Sequence, residues 1–168
     1  MRKWLDRLYS ASAWAAGISM IGVLVMVLLT IVSRLFGFHA PGSDAYAGYA
    51  MAGAGFMALA STLKAGEHIR VTLLLGALRG HALKALEVTA LVIATLLSGF
   101  LAFYSARLVW QSWEINDISV GIDATPLWIP QIFMALGTLV FFIAFCDELV
   151  LELLGRRTAR DMEDAHHE

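Results

Sequence analysis

Charge and cysteine are what this chain has little of. Only 15% of its 168 residues are Asp, Glu, Lys or Arg, where soluble domains carry about 25%. The net charge of −2 says nothing about nucleic acid, but no basic stripe of the kind that binds phosphate backbones runs through the sequence, so no nucleic-acid partner is expected. The single cysteine, Cys146, excludes an internal disulfide framework, a paired-thiol redox site and a cysteine-based zinc site. Histidines stand only at positions 39, 68, 81, 166 and 167. None lies in an apolar run, so there are no facing axial ligands for a haem inside a helical bundle. No nucleophile and base can be paired from the loops, so the sequence does not read as an enzyme or as a cofactor protein.

The scarcity of charge is concentrated. Residues 10–33, 45–63, 88–106 and 124–146 hold no Asp, Glu, Lys, Arg or His. Each run is close to the roughly 20 apolar residues that cross about 30 Å of hydrocarbon. With 59% hydrophobic residues and a mean hydropathy of +0.71, the surplus apolar surface needs lipid as its solvent. Barrel strands alternate polar and apolar residues over about ten positions; these runs are continuous and longer, so they are helices. The first run is also longer than the apolar core of a cleaved signal peptide. The expected fold is therefore all-α and integral to the membrane. It has four transmembrane helices near 11–33, 45–63, 85–106 and 126–147, within a membrane domain over 1–155 that is followed by a charged tail at 156–168.

Lysine and arginine set the orientation. Arg2, Lys3 and Arg7 precede the first run, Lys64, Arg70, Arg79 and Lys84 follow the second, and Arg156, Arg157 and Arg160 follow the fourth. The remaining two loops hold only Arg34 and Arg107, beside Asp44, Glu114, Asp117 and Asp123. Both termini are expected in the cytoplasm. Trp4, Trp14, Trp110, Trp113, Trp128, Tyr9, Tyr46 and Tyr104 are expected as headgroup anchors near the span ends. Residues 71–78 are apolar but too short to cross, and basic residues flank them. They read as a short interfacial cytoplasmic helix between spans two and three.

The second run is built from small residues, with Ala50, Ala54 and Ala58 on one helical face and Gly48 and Ala52 beside it. Small residues let helix backbones approach closely in lipid, so this span is expected to be the most buried, inside the bundle or against another subunit. Pro126 and Pro130 open the fourth run, where a missing backbone donor costs little. Ionisable residues inside a membrane usually mark ion or substrate paths. Their absence points to a scaffold that works through contact with other subunits.

The order of motifs resembles the small membrane subunit of tripartite ATP-independent periplasmic (TRAP) transporters, the DctQ-like family. It is carried by Val32-Ser33-Arg34, then Asp44, Gly53-Ala54-Gly55, Gly66-Glu67-His68-Ile69-Arg70-Val71 and the Pro-x-Trp-Ile-Pro at 126–130. The similarity spans nearly the whole chain. It departs at Gly42-Ser43-Asp44-Ala45, where many members have a Trp and paired Glu. The resemblance implies a bacterial inner-membrane stator without cofactors. It braces a large membrane subunit that carries the substrate and sodium sites, and a periplasmic protein delivers an organic acid. On that reading Arg34 and Asp44 pair with each other or with the large subunit, and Glu67, His68 and Arg70 fix the cytoplasmic segment against it. Asp117 and Asp123 help dock the periplasmic substrate-binding protein. The competing readings are a self-sufficient homo-oligomeric transporter or channel, with Thr30, Thr89, Thr95, Ser98 and Gln131 as thin pore lining, and a membrane anchor for a redox enzyme.

Overall fold

A computed structural model of the chain describes residues 2–64 and 81–154. Four helices account for most of them: α1 (Arg2–Phe36), α2 (Ser43–Lys64), α3 (His81–Glu114) and α4 (Trp128–Leu153). The interfacial helix expected at 71–78, the motif residues Glu67, His68 and Arg70, and the tail at 156–168 lie outside the described residues. Helices α1, α3 and α4 contain segments, Trp4–Phe36, Leu83–Glu114 and Trp128–Leu153, that are long and apolar enough to cross a membrane. Helix α2 is not among them. Its alanines and glycines, which suit helix packing, contribute little hydropathy.

The helices outrun the charge-free stretches. Helix α3 has 34 residues, a length of about 51 Å at 1.5 Å per residue, so Lys84, Glu87 and Arg107 are helical although they flank the apolar run. Hydropathy locates the hydrocarbon layer, whereas backbone hydrogen bonding continues beyond it. Pro130 is the third residue of α4, among the first four positions whose N–H has no intrahelical partner. Its ring therefore removes no helix hydrogen bond.

Packing neighbours run in the order α1, α2, α4, α3. Among the described residues α3 packs chiefly on α4, and α1 packs chiefly on α2. Among the described residues α3 does not pack substantially on α1, so the four helices form an open array there. Helix α2 sits between two neighbours, but α4 does so too and is as buried, so α2 is not the most buried span expected from its small residues. Its buried positions are Ser43, Gly53, Ala54, Met57 and Ala60. Of the small residues singled out in the sequence, Ala54 is buried and Ala50 and Ala58 are half-buried, while Gly48 and Ala52 stay exposed.

Each contact follows a heptad register. The covered positions of α1 include a series at Tyr9, Ser12, Ala16, Ser19, Val23, Met26, Thr30 and Ser33, spaced alternately three and four apart, with Leu5, Ala13, Ala15 and Gly22 half-buried beside it. The series faces Ser43, Ala50, Met57 and Lys64 of α2, every seventh residue. Thr30 Oγ1 lies 2.8 Å from Ser43 Oγ, a Cβ on Gly22 would sit 3.6 Å from Ala50, Ser12 donates to the Met57 carbonyl, and Lys64 Nζ lies 5.1 Å from the Tyr9 ring centre. Low numbers in one helix meet high numbers in the other, so the two are antiparallel. In α3 four of the five buried residues, Leu91, Ser98, Ser105 and Ser112, again recur every seven positions, and Ala102 lies beside them. This period belongs to helices crossing at about 20°, and serine keeps the seam narrow.

Helices α2 and α4 run parallel and come close together at Gly137. A Cβ on Gly137 would stand 2.5 Å from the Phe56 carbonyl carbon and oxygen. Tyr9, Ala60, Val140 and Ala144 form a small core below that crossing, with Leu5 and Leu63 against it. Tyr9 is only 6% exposed, so it is a core residue and not the headgroup anchor expected from sequence. Trp4, Trp14, Trp110 and Trp113 are exposed as anchors should be.

Candidate functional site

Polar side chains gather at the two ends of the array. One end is closed by the loops 37–42 and 115–127. Helix α3 stops on Asn116, whose φ of 50° is left-handed. The Asn116 N–H donates to Trp113 O at 3.3 Å and the Asp117 N–H to Ser112 O at 2.9 Å, the paired bonds of a Schellman cap. The chain then doubles back. Leu127 N–H donates to Asp117 O at 3.0 Å, Ser119 N–H donates to Thr125 O at 2.9 Å, and an antiparallel bridge joins Ile118 to Pro126. The segment is a miniature hairpin with Val120, Gly121 and Ile122 at its tip.

Asp123 holds this hairpin to the rest of the protein. Its Oδ2 accepts from Tyr49 Oη of α2 at 2.9 Å and from the Thr125 N–H at 3.4 Å. Its Oδ1 accepts from Ser119 Oγ at 3.0 Å. Thr125 Oγ1 in turn donates to Tyr46 Oη at 3.2 Å. Gly42 completes the junction. Its φ is +79°, and a Cβ there would lie 2.8 Å from the Asp123 Cβ, so glycine is required both by conformation and by the close approach of the two loops.

Burial pushes the Asp123 carboxyl upward, but the hydrogen bonds from Thr125, Tyr49 and Ser119 outweigh it and hold the group below its ordinary value of 3.8. A folded-state pKa that is lowered stabilises the docked loop above the ordinary value, and that contribution disappears as pH falls through the lowered one. Hydrogen-exchange protection across 117–127 should therefore persist from neutral pH down to about 3.8 and fade only in stronger acid. Asp123→Asn should lose most of it at every pH. Equal protection in the variant and the parent at pH 7 would count against this role.

At the opposite end Lys64 closes α2. Its ammonium donates to Asp147 and, at 2.9 Å, to Glu148 of α4, and the same ammonium lies over the Tyr9 ring of α1. Only 14% of the Lys64 side chain is exposed, with 22% for Asp147 and 13% for Glu148. One cation thus joins three helices. Glu152, one turn further along α4, is also buried. Among the described residues no three of His, Cys, Asp or Glu converge to hold a metal ion.

The residues singled out in the sequence fare differently. Arg34 and Asp44 are both exposed. They do not pair with each other; Asp44 Oδ1 lies 3.4 Å from Thr30 Oγ1 instead. Asp117 is half-buried and closes the hairpin through its backbone. Asp123 is engaged inside the protein. Sequence reasoning did not find Lys64, Asp147, Glu148, Tyr46 and Tyr49 as interacting groups. The available signal was that Lys64 and Asp147 are the first charges after two runs that both head toward the same side.

These features define an all-α membrane protein whose described polar clusters bind helices and loops to one another at the two ends of an apolar array. A family model for the DctQ component of tripartite ATP-independent periplasmic transporters matches residues 23–155. The chain belongs to that family, a transporter component and not an enzyme, whose members work with DctM and DctP partners. No curated protein matches the chain.

Proposed function

We propose that this chain is the small permease subunit of a secondary TRAP transporter in the bacterial inner membrane, with both termini cytoplasmic. It acts as a stator for the large membrane subunit. The cargo site and the coupling sodium sites belong to that larger partner, and the cargo is an organic acid delivered by the periplasmic component. The observation that carries this reading is the distribution of charge. The helical stretches 10–33, 45–63 and 88–106, and residues 124–146 with the helix they open, hold no Asp, Glu, Lys, Arg or His, whereas membrane paths for ions and acids are lined by such groups.

Helix α2 is taken as the fourth crossing. Its 22 residues extend about 33 Å, and it runs from Thr30 at one end of α1 to Tyr9 at the other. Its outward face carries Gly48, Met51, Ala52 and Gly55, all exposed. Such a surface suits close approach by another helix.

Two measurements test the reading. In mild detergent the chain should co-purify with the large membrane component. In proteoliposomes, uptake should require both polypeptides together with the soluble component; uptake by this chain alone would overturn the proposal. Arg34→Ala and Glu67→Ala should lower uptake through weaker assembly and leave cargo affinity of the soluble component unchanged. Normal co-purification of both variants would remove those two residues from the interface.

A further inference from the structure

The tip of the 115–127 hairpin presents aliphatic side chains to the outside. Val120 is fully exposed (108%) and Ile122 is 80% exposed, with Ile118 at 53% and Ile115 at 71% beside them. A soluble loop tip is ordinarily built from small polar residues. This one is aliphatic and is also held firmly, by two backbone bonds across the hairpin, the Ile118–Pro126 bridge and three hydrogen bonds to Asp123. Ala124 is kept at a φ of 45°, a left-handed conformation that costs a non-glycine residue energy. A strained, pinned loop that displays apolar side chains marks a contact surface.

Lipid is a poor match for that surface. Trp113 stands one residue before the end of α3 and Trp128 begins α4, and such rings settle at the headgroup level. The tip lies in the connection between them, on the aqueous side. Segments that bind lipid headgroups carry lysine and arginine. Residues 108–127 contain neither, and hold Glu114, Asp117 and Asp123. With Asp123 engaged internally, Glu114 and Asp117 leave an acidic rim beside an aliphatic tip. The complementary surface is an apolar depression bordered by basic side chains on a protein that arrives from the aqueous phase.

We infer that Val120 and Ile122 form a docking knob for the soluble DctP-type component. This rests on the orientation and subunit role proposed for the chain. The knob supplies contact area, Asp117 and Glu114 steer the approach, and Asp123 keeps the knob in place without touching the partner. The assignment moves the docking role from Asp123, which the family resemblance paired with Asp117 for it, to the aliphatic residues that Asp123 supports.

The test uses the complex of this chain with its large membrane component, held in nanodiscs and titrated with the soluble component by biolayer interferometry. The double variant Val120→Ser, Ile122→Ser should keep its co-purification with the large component and lose affinity for the soluble one by about tenfold or more, the order expected for two buried aliphatic side chains. Val120→Leu with Ile122→Leu should restore binding, and Asp117→Asn should slow association with a smaller effect on dissociation. Unchanged affinity in the serine variant would overturn the inference. So would loss of the large component from that variant, because the tip would then be a contact within the membrane complex. If the unmodified chain itself fails to co-purify with the large component, the subunit reading fails instead.

Discussion

Gly137→Ala should separate α2 from α4 and lower the thermal midpoint of the detergent-solubilised chain by several degrees. The added methyl would stand 2.5 Å from the Phe56 carbonyl carbon and oxygen and 2.9 Å from its Cβ. Those are backbone atoms or fixed to the backbone, so no rotamer change relieves the clash. The helices must move apart by about 1 Å, and overpacking of this kind costs about 1–3 kcal/mol. Gly137→Leu should prevent the pair from forming. Gly48 and Gly55 serve as controls in the same array. A Cβ at either meets nothing within 4 Å, so alanine there should leave the isolated chain unchanged or slightly more stable, since glycine disfavours helix by up to about 1 kcal/mol. Equal midpoints for the Gly137→Ala and Gly55→Ala variants would show that the α2–α4 crossing is looser than described.

Lys64→Met should have the other large effect. It removes the cation from Asp147 and Glu148 and leaves two partly buried carboxylates side by side. Breaking a buried pair by deleting one partner costs about 3–5 kcal/mol. The lower end applies here, because all three side chains keep some contact with solvent. The loss should be read at the end of the array that Lys64 closes: a lower thermal midpoint, and faster hydrogen exchange in the last turns of α2 and α4 while the 117–127 hairpin is unaffected. Adding Asp147→Asn and Glu148→Gln to Lys64→Met should recover part of the stability, since the uncompensated charge is then gone. Lys64→Arg should be milder than Lys64→Met, because a guanidinium keeps both the ion pair and a cation over the Tyr9 ring. No recovery in the triple variant would mean that the carboxylates depend on Lys64 for packing and not for charge.

Hydropathy located the apolar runs because charge-free stretches of about 20 residues match the thickness of the hydrocarbon layer. It did not locate the helix ends, since Lys84, Glu87, Arg107 and Asp147 all lie in helices that continue past that layer. The helix seams were legible in principle. Serine, alanine and threonine recur at three- and four-residue steps in α1 among leucines, valines and isoleucines, and three serines recur every seventh position in α3. A search for apolar faces passes over them, because in these helices the lipid-facing sides are the more apolar ones. Asp123 was visible as an acid in a loop, but its partners Tyr49 and Thr125 come from different elements. Its exposure to a docking protein or its use inside the fold turns on where α2 lies.

By itself, then, the amino-acid order determined that this polypeptide lives in a membrane as helices, that its charges stay at the helix ends, and that α2 packs closely on other helices. Those follow from the transfer cost of charge and backbone into hydrocarbon, which acts locally along the chain. Only the tertiary structure decided that α2 and α4 are parallel neighbours, that the array stays open among the described residues with α3 at its edge, and that Lys64 and Asp123 are clamps. The physical reason is distance in sequence: Lys64 and Asp147 stand 83 residues apart, and Tyr49 and Asp123 stand 74 apart. Nothing local to either residue specifies the partner until the helices have chosen their neighbours.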